Sequence, residues 1–145
     1  MKIITSTDML HPILKKYVDE INDLIIIHDI PMKLFETGRT KERHTTLMNK
    51  GKEFSVISPH FFDLKSDPPL YASAISYVYY DKKWSWNLRD NTIAAWYNLF
   101  GNIVMDKCNG ILWGGYLRKN MNVNLFLLKQ TTIKNNLKKY PCILI

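Results

Sequence analysis

Residues 32–43 read Met32-Lys33-Leu34-Phe35-Glu36-Thr37-Gly38-Arg39-Thr40-Lys41-Glu42-Arg43, and their pattern changes halfway along. Met32 to Thr37 alternates well enough for a short strand running to Gly38. Thr40 then offers a hydroxyl to the first free backbone N–H groups of a helix, which the sequence continues from Lys41 to Asn49 and stops at Gly51. Strand and helix are therefore mixed within one short stretch.

On the N-terminal side, Leu10, Ile13, Leu14, Tyr17, Val18, Ile21, Leu24 and Ile25 recur at helical spacing, predicting a helix of about four or five turns with one buried face. Pro12 fits only in its first turn. On the other side, the stretch from Phe54 to Leu70, with Pro59, Pro68 and Pro69, reads mostly as loop. Ala72 to Tyr80 reads as a strand, and Lys82-Lys83-Trp84-Ser85-Trp86 as the turn after it. Asp90 caps a third helix whose buried face is Ile93, Trp96, Tyr97, Phe100 and Val104. Ile111 to Trp113 is a short strand ended by Gly114-Gly115, Leu125 to Lys129 a further one, and Thr131 opens a basic helix reaching Lys139.

The chain has 145 residues, the size of a single domain, 1–145, with a basic segment at 129–145. Hydrophobic residues at 46%, charged residues at 23% and aromatics at 12% exclude a disordered or collagen-like chain. No apolar run approaches the length of a membrane span, and Met1 to Thr5 does not open a signal peptide, so synthesis in the cytoplasm is expected, with action outside only after release. Cys108 and Cys142 stand in no CxxC or CxxH spacing and read as free thiols. Cys142-Ile143-Leu144-Ile145 also has the outline of a prenylation box, with an atypical last residue. The net charge of +7 lies wholly in residues 107–145, which hold 7 basic and no acidic side chains. Such a block suits an anionic partner: a cell wall, an acidic lipid surface or nucleic acid. Lys129 to Lys139 carries no aromatics interleaved for stacking on bases, which weighs against nucleic acid, and a plain solvated face is the simpler reading.

Five pieces, in order, resemble the zinc peptidases of the VanY-like D-alanyl-D-alanine carboxypeptidase and L-alanyl-D-glutamate phage endolysin family. They are Met9-Leu10-His11-Pro12, Phe35-Glu36-Thr37-Gly38-Arg39-Thr40-Lys41-Glu42-Arg43, Ser58-Pro59-His60, Trp84-Ser85-Trp86 and Trp113-Gly114-Gly115. The resemblance spans nearly the whole chain. It implies a small single-domain α+β fold with a central antiparallel sheet packed with helices, D-Ala-D-Ala-peptidase-like. It further implies one zinc in a cleft for the peptidoglycan stem peptide, a cell-wall partner and a monomer. In that family two His and an Asp hold the metal, leaving one position for the water that it activates, and an acidic residue is the general base.

The same resemblance puts His60 at the first ligand position, Ser76 of Ala74-Ile75-Ser76 where the Asp belongs, and Leu125 of Asn122-Val123-Asn124-Leu125-Phe126 where the second His belongs. Asn122 then occupies the position of the base. Leucine offers no lone pair, serine is a poor zinc ligand at neutral pH, and an amide does not take a proton from water. The expectation is a peptidase fold with a degenerate site that binds zinc weakly or not at all. The alternative is an active peptidase in which Asp63, Asp67 or His44 substitutes, and a third reading is a basic nucleic-acid-binding domain. Arg39 matches an arginine that faces the family's cleft, or is an ordinary surface arginine. Ser58 and Trp113 are implied substrate contacts, although core is the simpler reading for Trp84, Trp86, Trp96 and Trp113, helical or strand spacing accounting for Trp96 and Trp113.

Overall fold

The computed structural model describes residues 2–52, 58–113 and 142–144, which form three helices and five strands. The order is α1 (Pro12–Ile27), β1 (Met32–Glu36), α2 (Lys41–Asn49), β2 (Ala74–Asp81), β3 (Lys83–Ser85), α3 (Asn91–Lys107), β4 (Ile111–Trp113) and β5 (Cys142–Leu144). This is a small α+β domain. The expected strand at 125–129 and basic helix at 131–139 lie outside the described residues, as do Phe54 to Ile57 of the expected loop.

The helices begin where capping chemistry allows. Pro12 opens α1 behind His11, whose Nδ1 accepts from the Ile13 N–H, and Leu14, Val18 and Ile21 form the buried stripe. The Thr40 hydroxyl accepts from the Arg43 N–H at the start of α2, and Asp90 accepts from Thr92 and Ile93 at the start of α3. On α3 the fully buried positions are Phe100, Gly101 and Val104. Gly101 is required by packing: a Cβ there would lie 2.1 Å from Cδ2 of Trp113, whose ring occupies the space.

The antiparallel part of the sheet is β1–β2–β3, with Leu34 opposite Tyr77, Glu36 opposite Ser76, and Tyr80 opposite Trp84. Phe35 is the extra residue where the β1 register shifts. The segment 82–86, expected as a turn, is a turn only at Lys82, whose φ of 59° is left-handed; Lys83–Ser85 then pairs back on β2 as β3. Cys142–Leu144, not expected as a strand, lies parallel between β2 and β4, pairing Ala74 with Ile143 and Ile111 with Cys142. A three-residue apolar run is too short to show a period, which is why the sequence gives no sign of it.

The two faces of β2 have different tasks. Tyr77 packs on Phe100 with ring centroids 5.3 Å apart and donates its hydroxyl to Asn22, joining the sheet to α3 and α1. That face and the buried stripes of α1 and α3 form one core with Leu10, Met32, Ile75, Ile111 and Trp113. Ser76, Val78 and Tyr80 alternate onto the opposite face, toward the loop that carries His60.

Candidate functional site

The segment 35–39 builds the floor of the site residue by residue. Glu36 is buried at 1% exposure, and its Oε2 accepts from Arg39 Nε at 3.0 Å and Nη2 at 2.5 Å, while Arg43 Nε holds Oε1. Thr37 donates its hydroxyl to the Ser6 carbonyl at 2.5 Å, tying the N-terminal segment down. Gly38 lets Met9 approach: a Cβ would lie 2.5 Å from its Cγ. The Arg39 N–H donates to the His60 carbonyl at 2.8 Å, so the strand end and the loop before Phe61 are stitched together.

His60 is brought to β2 by this stitching and by Ser58, whose hydroxyl accepts from the His60 N–H at 3.2 Å. The His60 Nε2 and the Ser76 Oγ then lie 3.3 Å apart, both residues being buried. Ser76 is the cross-strand neighbour of Glu36. Four of the residues singled out from sequence, Arg39, Ser58, His60 and Ser76, thus meet in one place, with Glu36 and Arg43 added. Asn122 and Leu125 lie outside the described residues.

Electrostatically, the keystone is Glu36. Burial pushes its carboxyl up, but the hydrogen bonds from Arg39 and Arg43, helped by the positive charges of Arg39 and His60, hold it below the ordinary glutamate value. A carboxylate with a depressed folded pKa contributes stability above its unfolded value of about 4.3, and that contribution is lost as pH falls through the lower folded value. Urea midpoints measured from pH 7 downward are therefore expected to hold to about pH 5 and then fall, and the fall should vanish in Glu36→Gln. An acid limb of equal size in both proteins would show that other groups control it.

The donor set does not suit zinc. Ser76 gives His60 a hydroxyl and not a carboxylate, and Glu36 is committed to two guanidinium groups. His44 and Asp63 line a separate cleft of about 390 Å³ with Arg39, Lys41, Phe61 and Leu70. His44 is buried edge-on to Phe61, and both Asp63 and Asp67 are exposed. No three His, Cys, Asp or Glu side chains are close enough to hold a metal ion among the described residues.

The core expectation for the tryptophans holds for two and needs correcting for two. Trp113 is core, 9% exposed on Gly101, and Trp96 is partly buried against that core. Trp84 and Trp86 are exposed at 38% and 56%, because Trp84 of β3 and Trp86 just after it pack on Phe35, on the sheet face away from α1 and α3. The other feature that sequence reasoning missed is Glu36 itself. Its signal was a lone acidic residue placed three and seven positions before two arginines.

Among the described residues no helix is long and apolar enough to cross a membrane. No family model, curated protein or solved structure matches the chain.

Proposed function

We propose that this protein is a peptidoglycan-peptidase-like protein that engages wall stem peptides without zinc hydrolysis. The observation that carries this reading is the 3.3 Å contact between His60 and Ser76, sixteen residues apart, at the two positions where the resemblance sets neighbouring metal ligands. Arbitrary assignments across a proline-rich loop would not be expected to meet in space. The arginine matched to the family's cleft sits beside the pair, its backbone bonded to His60 and its guanidinium holding Glu36.

In this reading the site binds rather than cuts. Arg39 and Lys41 line the adjoining cleft, and basic side chains there favour a peptide carboxylate. With asparagine in the base position and serine and leucine in ligand positions, the positions matched to the family supply no group to generate a nucleophilic water. The protein would act at the wall once released from the cell.

Sedimentation with purified peptidoglycan, followed by assay of soluble peptide, tests this. The expected result is co-sedimentation that weakens with salt and no peptide release. Release of stem-peptide fragments would overturn the loss of hydrolysis. Failure to sediment, with steeply salt-dependent binding to any DNA duplex, would replace the reading with a basic nucleic-acid-binding domain.

A further inference from the structure

The sheet face that carries Ser76 continues into an aromatic shelf. Trp84 and Trp86 each meet the Phe35 ring edge-on, at centroid distances of 5.2 and 5.1 Å, and Trp84 also meets Tyr80 at 4.9 Å. The Lys33 Nζ lies 3.9 Å from the centre of the Tyr80 ring. Val78 is buried between the shelf and Ser76. Exposed indoles packed into a cluster and left open on one side mark a surface made for contact. Lys33 sits on the Tyr80 ring, and Lys82 and Lys83 immediately precede Trp84 with Asp81 as the neighbouring acid, so cations outnumber acids at this edge of the shelf.

We propose that this shelf, centred on Trp84 and Trp86, is a saccharide subsite that takes the carboxylate-bearing glycan strand of the wall polymer. This rests on the function proposed above and names the second half of its substrate. Two observations select this occupant. A pyranose presents a flat C–H face suited to an exposed indole and a polar edge suited to water, and the free lactyl carboxylates of neighbouring muramic acid units that carry no peptide match the basic rim. The spacing also fits: Ser76 and Tyr80 are four strand residues apart, about 13 Å, which is the reach of about four extended residues of a stem peptide. A peptide seated at the His60–Ser76 end would leave its sugar over the rings.

Calorimetric titration with peptide-free glycan strands from amidase-treated peptidoglycan, and separately with free stem peptide, tests the proposal. Trp86 is exposed, so Trp86→Ala should leave the fold intact by circular dichroism; it should weaken glycan binding about tenfold and leave peptide binding unchanged. Trp86→Phe should recover part of the loss. Peptide binding with no glycan binding, or glycan binding indifferent to Trp86→Ala, would overturn the subsite and leave the proposed function standing. Binding of neither wall fragment would overturn both. A Trp86-dependent interaction with phosphatidylglycerol vesicles or single-stranded oligothymidine, without glycan binding, would give the shelf to that ligand instead.

Discussion

Glu36→Ala is expected to lower the unfolding free energy by about 3–5 kcal/mol, among the largest effects of any single substitution in this chain. The reason is what remains behind. Arg39 and Arg43 have side chains only 10% and 14% exposed, and removing Glu36 takes away the carboxylate that the two guanidinium groups share. Their backbone roles would suffer too, since the Arg39 N–H holds the His60 carbonyl and the Arg43 N–H completes the Thr40 cap. Urea unfolding followed by fluorescence measures this directly. Glu36→Gln should cost less, and Glu36→Ala combined with Arg39→Ala and Arg43→Ala should cost clearly less than the sum of the separate changes, because the charges act as one unit. A loss below about 1 kcal/mol for Glu36→Ala would place the cluster in the class of surface ion pairs and remove its role as the floor of the site.

Installing the ligands that the proposed peptidase likeness calls for is the second large effect. Ser76→Asp puts a carboxylate beside His60 Nε2, at a place where Ser76 already lies 3.3 Å away. Alone, it should destabilise the protein by about 1–3 kcal/mol, because a second buried carboxylate would be desolvated next to that of Glu36. Joined by Leu125→His and Asn122→Asp, it should change sign in the presence of zinc, with thermal stability rising as metal is added. Peptide release from purified peptidoglycan should then appear, and omitting Asn122→Asp should reduce it by about 10²–10⁴, the range for a general base. A triple variant that folds and stays indifferent to zinc would show that the assignment of 76 or 125 is out of register.

The parts of the fold that were legible from sequence are those with local chemistry. The α2 helix was bounded by Thr40 and Gly51, the start of α3 by Asp90, and α1 by Pro12 with its apolar stripe. Strands β3 and β5 were not legible, because three residues are too few to show alternation and their partners are distant in sequence. Trp84 and Trp86 were assigned to the core because large aromatics usually belong there, whereas here they cluster on Phe35 across the outer face of the sheet. In the candidate site, His60 and Ser76 could be paired only through resemblance, since the loop between them hides distance. Glu36 was quoted as part of a motif, but its role depends on a strand, a turn and a helix folding back together, which no spacing rule for a single element describes.

The measurement that bears most directly on the account is the zinc content of the parent protein and of the variant Ser76→Asp, Leu125→His, Asn122→Asp, dialysed side by side against trace zinc and read by elemental analysis. The account predicts well below one zinc per chain for the parent and about one for the variant, as expected when three protein ligands are restored. Stoichiometric zinc in the parent would contradict it, because the chain would then hold the metal through residues other than those in the degenerate positions.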